Sequence, residues 1–138
     1  MRIETGDFMR VLVVDDNERL RRGVMAMISS DTNWEVCGEA EDGEDAILKA
    51  RELLPDVILI DISMPGLNGL EVARLLRQEL PQVKILIMSQ HDPVHLAPRA
   101  VEAGAHAVVD KSNLDRDLLA AMDSIVEPRS YDKPRTPA

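Results

Sequence analysis

Residues 56–72 read DVILIDISMPGLNGLEV, and in this stretch a single carboxylate follows an apolar run. Val57 to Ile60 and Ile62 are apolar, and Asp61 interrupts them. A short continuous apolar run is typical of a strand that is buried on both faces. The MPG and NG segments that come next indicate loops. Asp61 is therefore either a helix-capping residue or a reactive group at the end of a buried strand.

The same alternation of an apolar run with an amphipathic stretch occurs five times along the chain. The predicted strands are 9–15, 34–40, 56–60, 83–89 and 105–110, and the predicted helices are 17–30, 43–54, 68–80, 94–104 and 113–127. Alternating units of this kind predict a parallel sheet with helices on both faces. We expect an α/β fold, a doubly wound, flavodoxin-like (βα)5 sheet in the order 2-1-3-4-5.

Three local features refine this prediction. The second strand alternates apolar and polar residues, so we expect it near an edge of the sheet. Pro98 interrupts the fourth helix, which is expected either to begin near this proline or to have an irregular first turn. Ser112 or Asn113 is expected to cap the fifth helix.

The length of 138 residues predicts one domain. We expect an N-terminal extension over 1–8, the domain over 9–127 and a flexible proline-rich tail or linker over 128–138. No apolar run approaches the roughly 20 residues of a membrane span. The N-terminus lacks a signal-like apolar stretch and Cys37 has no disulfide partner, so the cytoplasm is the expected location. The net charge of −9 argues against direct nucleic-acid binding by this chain.

Polar side chains collect at the carboxyl ends of the predicted strands, where ligands bind in such sheets. The residues at these ends are Asp15 and Asp16, Asp61, Ser89, and Asp110 with Lys111. Three converging carboxylates repel one another and require a cation, and oxygen ligands favour Mg²⁺. Aspartate is a nucleophile toward phosphorus, and an ammonium and a hydroxyl can hold the phosphoryl group. The set indicates a carboxylate that accepts phosphate.

Five segments carry a family resemblance, in collinear order over about residues 9 to 127. They are VLVVDDNERLRRG, EAEDGEDAI, PDVILIDISMPGLNGLEV, KILIMSQHD and AVEAGAHAVVDKS. Together they resemble the receiver domain of two-component response regulators. The wording of the later segments is similar to the subgroup in which the receiver precedes a helix-turn-helix DNA-binding domain.

The resemblance implies a role for each site residue. Asp61 would be the phosphoacceptor, Ser89 the switch hydroxyl and Lys111 the lysine that contacts the phosphoryl group. The implied Mg²⁺ ligands are Asp16 and Asp61 directly, Asp15 through water, and the backbone carbonyl of Ser63. Receivers usually carry tyrosine or phenylalanine three residues before the lysine, and Val108 stands there instead.

The implied partner is a sensor histidine kinase that donates from phosphohistidine, with a small acyl phosphate as an alternative donor. A homodimer through helix four, strand five and helix five is also expected. The implied output is transcriptional regulation, and the domain is not an enzyme in the ordinary sense, although it assists its own phosphorylation and dephosphorylation. The chain is either a stand-alone receiver or one separated from a C-terminal DNA-binding domain.

Three alternatives stay open. A receiver that docks to partners without phosphorylation is compatible with Val108. An aspartyl-nucleophile phosphohydrolase would need a second acid two residues after the nucleophile, where Ser63 stands. A flavodoxin-like nucleotide binder would need a phosphate-binding loop after the first strand, and the sequence DDNE repels phosphate in the absence of a metal.

Overall fold

The computed structural model describes residues 8–90 and 93–126. Five parallel strands form one sheet in the order β2-β1-β3-β4-β5, which confirms the predicted fold and places β2 at an edge. The strands are β1 (Met9–Val14), β2 (Trp34–Ala40), β3 (Val57–Asp61), β4 (Lys84–Ser89) and β5 (Ala107–Asp110). The helices are α1 (Glu18–Ser29), α2 (Gly43–Leu53), α3 (Gly69–Glu79), α4 (Pro93–Ala103) and α5 (Leu114–Ile125).

Successive residues of the central strands point to opposite faces of the sheet, so each apolar run supplies two cores. On one face, Leu12, Ile58 and Ile85 pack against α2, α3 and α4. On the other face, Val11 and Leu59 pack against α1 and α5. This double burial explains why the strands read as continuous apolar runs.

The end of α2 is held by Arg10, a residue of β1. Leu54 ends this helix in the left-handed conformation, with φ of 48°. The Arg10 side chain donates to the carbonyl oxygens of Leu53 (2.8 Å) and Leu54 (3.2 Å). These bonds satisfy carbonyl groups that have no partner within the helix.

The structure excludes one of the two alternatives predicted for Pro98, that the fourth helix begins near this proline. Helix α4 begins at Pro93 and continues through Pro98, so the helix does not begin at the second proline. Pro98 is exposed, and so is Val94, whose carbonyl loses its usual donor there. Burial of Leu96 and Ala100 on the opposite side of the helix offsets this loss.

The predicted cap of α5 is also wrong in its chemistry. Asn113 occupies the cap position, but its side chain makes no capping hydrogen bond. A short 3-10 turn, Lys111–Asn113, precedes the helix instead. The Asp110 carboxylate accepts bonds from the backbone N–H of Ser112 (2.9 Å) and from its hydroxyl (2.6 Å).

The predicted terminal segments are largely beyond the described chain. Residues 1–7 and 127–138 lie outside the described residues, so the expected extension and the proline-rich tail stay predictions. Among the helices of the described chain, none has the length and apolar character needed to cross a bilayer.

Candidate functional site

Asp61 is the last residue of β3 and not the first residue after it. It pairs in register with Met88 of β4 and is buried, with 4% of its surface exposed. Helix α3 is capped by other residues: Asn68 accepts from the backbone of Glu71, and Glu71 accepts from the backbone of Asn68. Since this capping box satisfies the start of α3, Asp61 is not a helix cap.

The aspartate pair after β1 is likewise not needed for capping. Asn17 caps α1 by accepting a bond from the backbone N–H of Leu20 at 3.1 Å. Asp15 is fully buried, and its Oδ1 accepts from the backbone N–H of Asn17 at 2.9 Å. Asp16 is exposed beside it. The helix therefore leaves both carboxylates available for a ligand.

The three predicted carboxylates do converge. One oxygen from each of Asp15, Asp16 and Asp61 lies within 4.8 Å of the others. Within the described chain, Asp15 Oδ2 is a buried side-chain oxygen that accepts no hydrogen bond. A buried anionic oxygen without a donor is costly unless a cation is present. This donor set fits a hard divalent cation that prefers oxygen ligands.

Lys111 reaches the same oxygens from the end of β5. Its Nζ lies 3.1 Å from Asp15 Oδ2 and 3.3 Å from Asp61 Oδ1. The side chain is 9% exposed, so the ammonium is nearly as buried as the acids that it faces. The contact with Asp15 is an ion pair without hydrogen-bond geometry, since that oxygen receives no hydrogen bond. Lys111 thus balances part of the negative charge.

The net electrostatic environment favours protonation of Asp61. Burial raises the pKa of this carboxyl above its ordinary value, and the negative charge of Asp15 raises it further. The ammonium of Lys111 and the backbone N–H of Ser63, which lies 3.3 Å from Oδ1, oppose these effects. A cation bound among the three carboxylates would shift the balance toward the ionised, nucleophilic form.

Two serines complete the predicted set. Ser89 is buried at the end of β4, in register with Asp110. It therefore lies, like Asp61, at the carboxyl ends of the strands. Ser63 is exposed in the loop after β3, where its N–H faces the Asp61 carboxylate. An open pocket lies between this loop and α4, and it is lined by Ser63, Met64, Pro65 and Arg99. This pocket borders the loop that follows Asp61, and at the site itself Asp16 is exposed to solvent.

Sequence reasoning missed Arg21, a buried arginine behind the acidic cluster. Its Nη1 donates to the backbone carbonyl of Asp15 and its Nε donates to Glu39, both at 2.7 Å. The sequence contained a signal for it: Arg21 shares the buried face of α1 with Val24 and Ile28. A charged residue at a core position of an amphipathic helix is almost never fully buried unless it is paired.

A family model and a curated protein that match this chain both belong to the response regulators. The model of the response regulator receiver domain family matches residues 11–123. The response regulator GacA of Pseudomonas protegens is 35% identical over 127 residues, which cover 92% of this chain and 60% of that protein. The chain thus spans about 60% of the length of this curated relative.

Solved structures with the same architecture include two from this class of proteins. The signal receiver domain of the NarL protein from Mycobacterium tuberculosis superposes with a TM-score of 0.81 at 32% identity, covering 86% of this chain and 95% of that one. A two-component response regulator of the LuxR family from Aurantimonas sp. SI85-9A1 superposes with a TM-score of 0.82 at 34% identity, covering 86% and 84%.

Proposed function

Because this chain belongs to the response regulator receiver domain family, whose members are signalling domains, we propose that it is a phosphorylation-controlled switch with Asp61 as the phosphoacceptor. One observation carries the proposal. Asp61 is the buried carboxylate that ends a central strand, with the acids Asp15 and Asp16 beside it and the Lys111 ammonium 3.3 Å away. A buried carboxylate with an ammonium and a group of cation-binding acids beside it suits phosphoryl transfer.

The proposed reaction is an exchange of one bond for another at phosphorus. A carboxylate oxygen of Asp61 forms a bond to the phosphorus of a phosphohistidine. The bond from phosphorus to the imidazole nitrogen breaks, and that nitrogen leaves with the bonding electron pair. The product is an acyl phosphate on Asp61 and a free histidine on the donor. With a small acyl phosphate as donor, a carboxylate leaves instead.

Asp15, Asp16, Asp61 and the backbone carbonyl of Ser63 are the proposed ligands of Mg²⁺. When bound, the ion would offset negative charge on the phosphoryl group during transfer. Lys111 holds an anionic oxygen of the phosphoryl group by charge, and the Ser89 hydroxyl donates a hydrogen bond to another. Ser89 ends β4, which pairs with β3, and Lys111 directly follows β5, so the sheet positions both residues.

The proposed donor is a sensor histidine kinase in the cytoplasm, and the proposed output is control of transcription. Relatives support this output, since one similar structure is described as a LuxR-family response regulator. We propose that a DNA-binding domain, on this or another chain, acts on the DNA, because a net charge of −9 opposes direct binding here.

Helix α4, β5 and α5 form the proposed output face and homodimer contact. Val94 and Val101 lie seven residues apart on α4 and are 78% and 65% exposed. Residues at this spacing share one face of a helix, so the two valines present an apolar strip to a partner. Val108, on the neighbouring β5, is half-buried and packs against the core on the α4 side. Readout would then proceed without an aromatic side chain at that position.

The experiment is phosphorylation by a small acyl phosphate in the presence of Mg²⁺, followed by mass spectrometry. Wild type is expected to gain one phosphoryl group that is labile to base, and Asp61→Asn is expected to gain none. Asp56→Asn is the matched control, because Asp56 precedes the same strand at its other end and accepts a bond from the Arg10 N–H at 2.8 Å.

Two results would contradict the proposal. If Asp61→Asn still acquires the group, the acceptor has been assigned wrongly. If wild type never acquires it while Mg²⁺ is bound, the domain acts as a docking module that does not use phosphate.

A further inference from the structure

Arg21 is a buried cation that no step of the proposed phosphoryl transfer uses. It is 8% exposed and lies on the core-facing side of α1. Its guanidinium bridges two elements, since Nη1 donates to the Asp15 carbonyl oxygen and Nε donates to the Glu39 carboxylate, each at 2.7 Å. The pairing lowers the pKa of Glu39, so this partner stays charged. Bonds from a charged donor are among the stronger ones in proteins.

The Asp15 backbone is consequently held on both sides. Its N–H donates to the carbonyl oxygen of Ala40 at the end of β2, at 3.1 Å. Its carbonyl group belongs to the peptide that joins Asp15 to Asp16, and Arg21 is the donor that faces it. Because a peptide is planar, fixing its carbonyl group also fixes the positions of the Cα atoms of both aspartates relative to that group.

We propose that Arg21 is a positioning residue for the divalent-cation site. By holding the Asp15–Asp16 peptide, it keeps both carboxylates turned toward Asp61. The inference rests on the proposed function in one respect, that these aspartates bind Mg²⁺. Removing a residue that holds a metal ligand in place without binding the metal itself typically lowers metal affinity by about 10–100-fold.

The test is direct calorimetric titration of the unphosphorylated protein with Mg²⁺. Arg21→Met is expected to weaken Mg²⁺ binding by about tenfold or more. Arg10→Met is the matched control, because Arg10 makes the same kind of bond, Nη1 to the Leu53 carbonyl at 2.8 Å, at the start of β1 and not at its end. Both variants are expected to be less stable to urea, and only Arg21→Met is expected to lose Mg²⁺ affinity.

A second readout separates positioning from a general loss of structure. With an acyl phosphate as donor, the Mg²⁺ concentration for half-maximal phosphorylation is expected to rise in Arg21→Met, while the rate at saturating Mg²⁺ stays near that of wild type. Arg21→Lys keeps the charge but lacks the fork that bridges two acceptors. We expect it to recover part of the affinity, and it decides the question if Arg21→Met does not fold.

Equal Mg²⁺ affinity in wild type and in the Arg21 variants would overturn the inference, as would equal losses in the Arg21 and Arg10 variants. Failure of the proposed function is a different result, in which wild type binds Mg²⁺ and takes up no phosphoryl group.

Discussion

A Cβ atom on Gly69 would lie 2.7 Å from the carbonyl oxygen of Asp61, so the first residue of α3 is in backbone contact with the last residue of β3. The contact is reinforced by the Gly69 N–H, which donates to the carbonyl of Ile62 at 3.2 Å. Since the three atoms nearest to the missing Cβ all belong to the backbone of Asp61 and Ile62, none can move aside as a flexible side chain would. The residue proposed as phosphoacceptor thus has its peptide group packed against the start of α3.

Gly69→Ala is expected to lower the free energy of unfolding by about 1–3 kcal/mol, the usual range for overpacking, and to slow phosphorylation of Asp61. Urea denaturation and the initial rate with an acyl phosphate are the measurements. Gly23→Ala is the control, because a Cβ there meets nothing within 4 Å. This second variant is expected to gain about 0.5–1 kcal/mol, since Gly23 is inside α1. An unchanged free energy of unfolding in Gly69→Ala would contradict this backbone contact.

Lys111→Met is expected to tighten Mg²⁺ binding at least about threefold, because an ammonium no longer competes for Asp15 and Asp61. The same variant is expected to slow phosphoryl transfer, since the phosphoryl group loses its cationic partner. Calorimetry and the initial rate report the two effects separately. Lys84→Met removes the same charge at the opposite end of the neighbouring strand and should change neither quantity. Weaker Mg²⁺ binding in Lys111→Met would show that the ammonium does not compete with the ion.

His106 predicts a loss of stability at mildly acidic pH. Its Nδ1 accepts a bond from the backbone N–H of Ile85 at 3.0 Å, which requires the neutral ring. Burial lowers the pKa of His106 below 6.5, and the charges of Lys84 and Arg77 lower it further. The unfolded chain therefore binds more protons than the folded one as the pH falls through 6.5 toward the folded-state value. The contribution of the neutral His106 ring to the free energy of unfolding is fully present well above pH 6.5 and is lost as the pH falls below that value.

The matched variant for this effect is His106→Asn, whose amide oxygen can accept the same bond without titrating. Urea denaturation from pH 8 to pH 5 is expected to give a smaller decline for the variant than for wild type. Parallel curves for the two proteins would assign the acid sensitivity to other groups, such as Glu39, whose pKa is lowered in the folded protein by its bond with Arg21.

Leu54 predicts a gain in stability on substitution by glycine. A leucine with φ of 48° is in the left-handed region, which a side chain disfavours by about 1–2 kcal/mol. Leu54→Gly is expected to raise the free energy of unfolding by about 0.5–1 kcal/mol, less than this strain because glycine gains freedom in the unfolded chain. Leu48→Gly makes the same change inside α2 and should instead cost about 1 kcal/mol. If both variants have a lower free energy of unfolding than wild type, the contacts of the Leu54 side chain stabilise the fold by more than its left-handed backbone conformation destabilises it.

Most of the architecture was predictable because the local hydrophobic pattern of each segment matches the strand or helix that it forms in the fold. Apolar runs of strand length alternate with amphipathic runs, and the strand order then brings Asp15, Asp16, Asp61 and Lys111 to one edge. The errors arise where packing outweighs local preference. Pro98 stays within a helix because the buried side of α4 stabilises it. Asn113 makes no capping bond to α5, and Asp110 caps the short 3-10 turn that precedes this helix.

The sequence by itself determined the fold class, the approximate strand ends and the identity of the acids that meet there, since each predicted strand ends within one residue of the observed one. Only the tertiary structure decided whether those acids were needed as caps, which they are not, because Asn17 and Asn68 cap the helices that follow. It also brought Arg21 to the Asp15 carbonyl and Gly69 to the Asp61 carbonyl. Contacts with a backbone carbonyl leave little trace in a sequence, because every residue carries that same group.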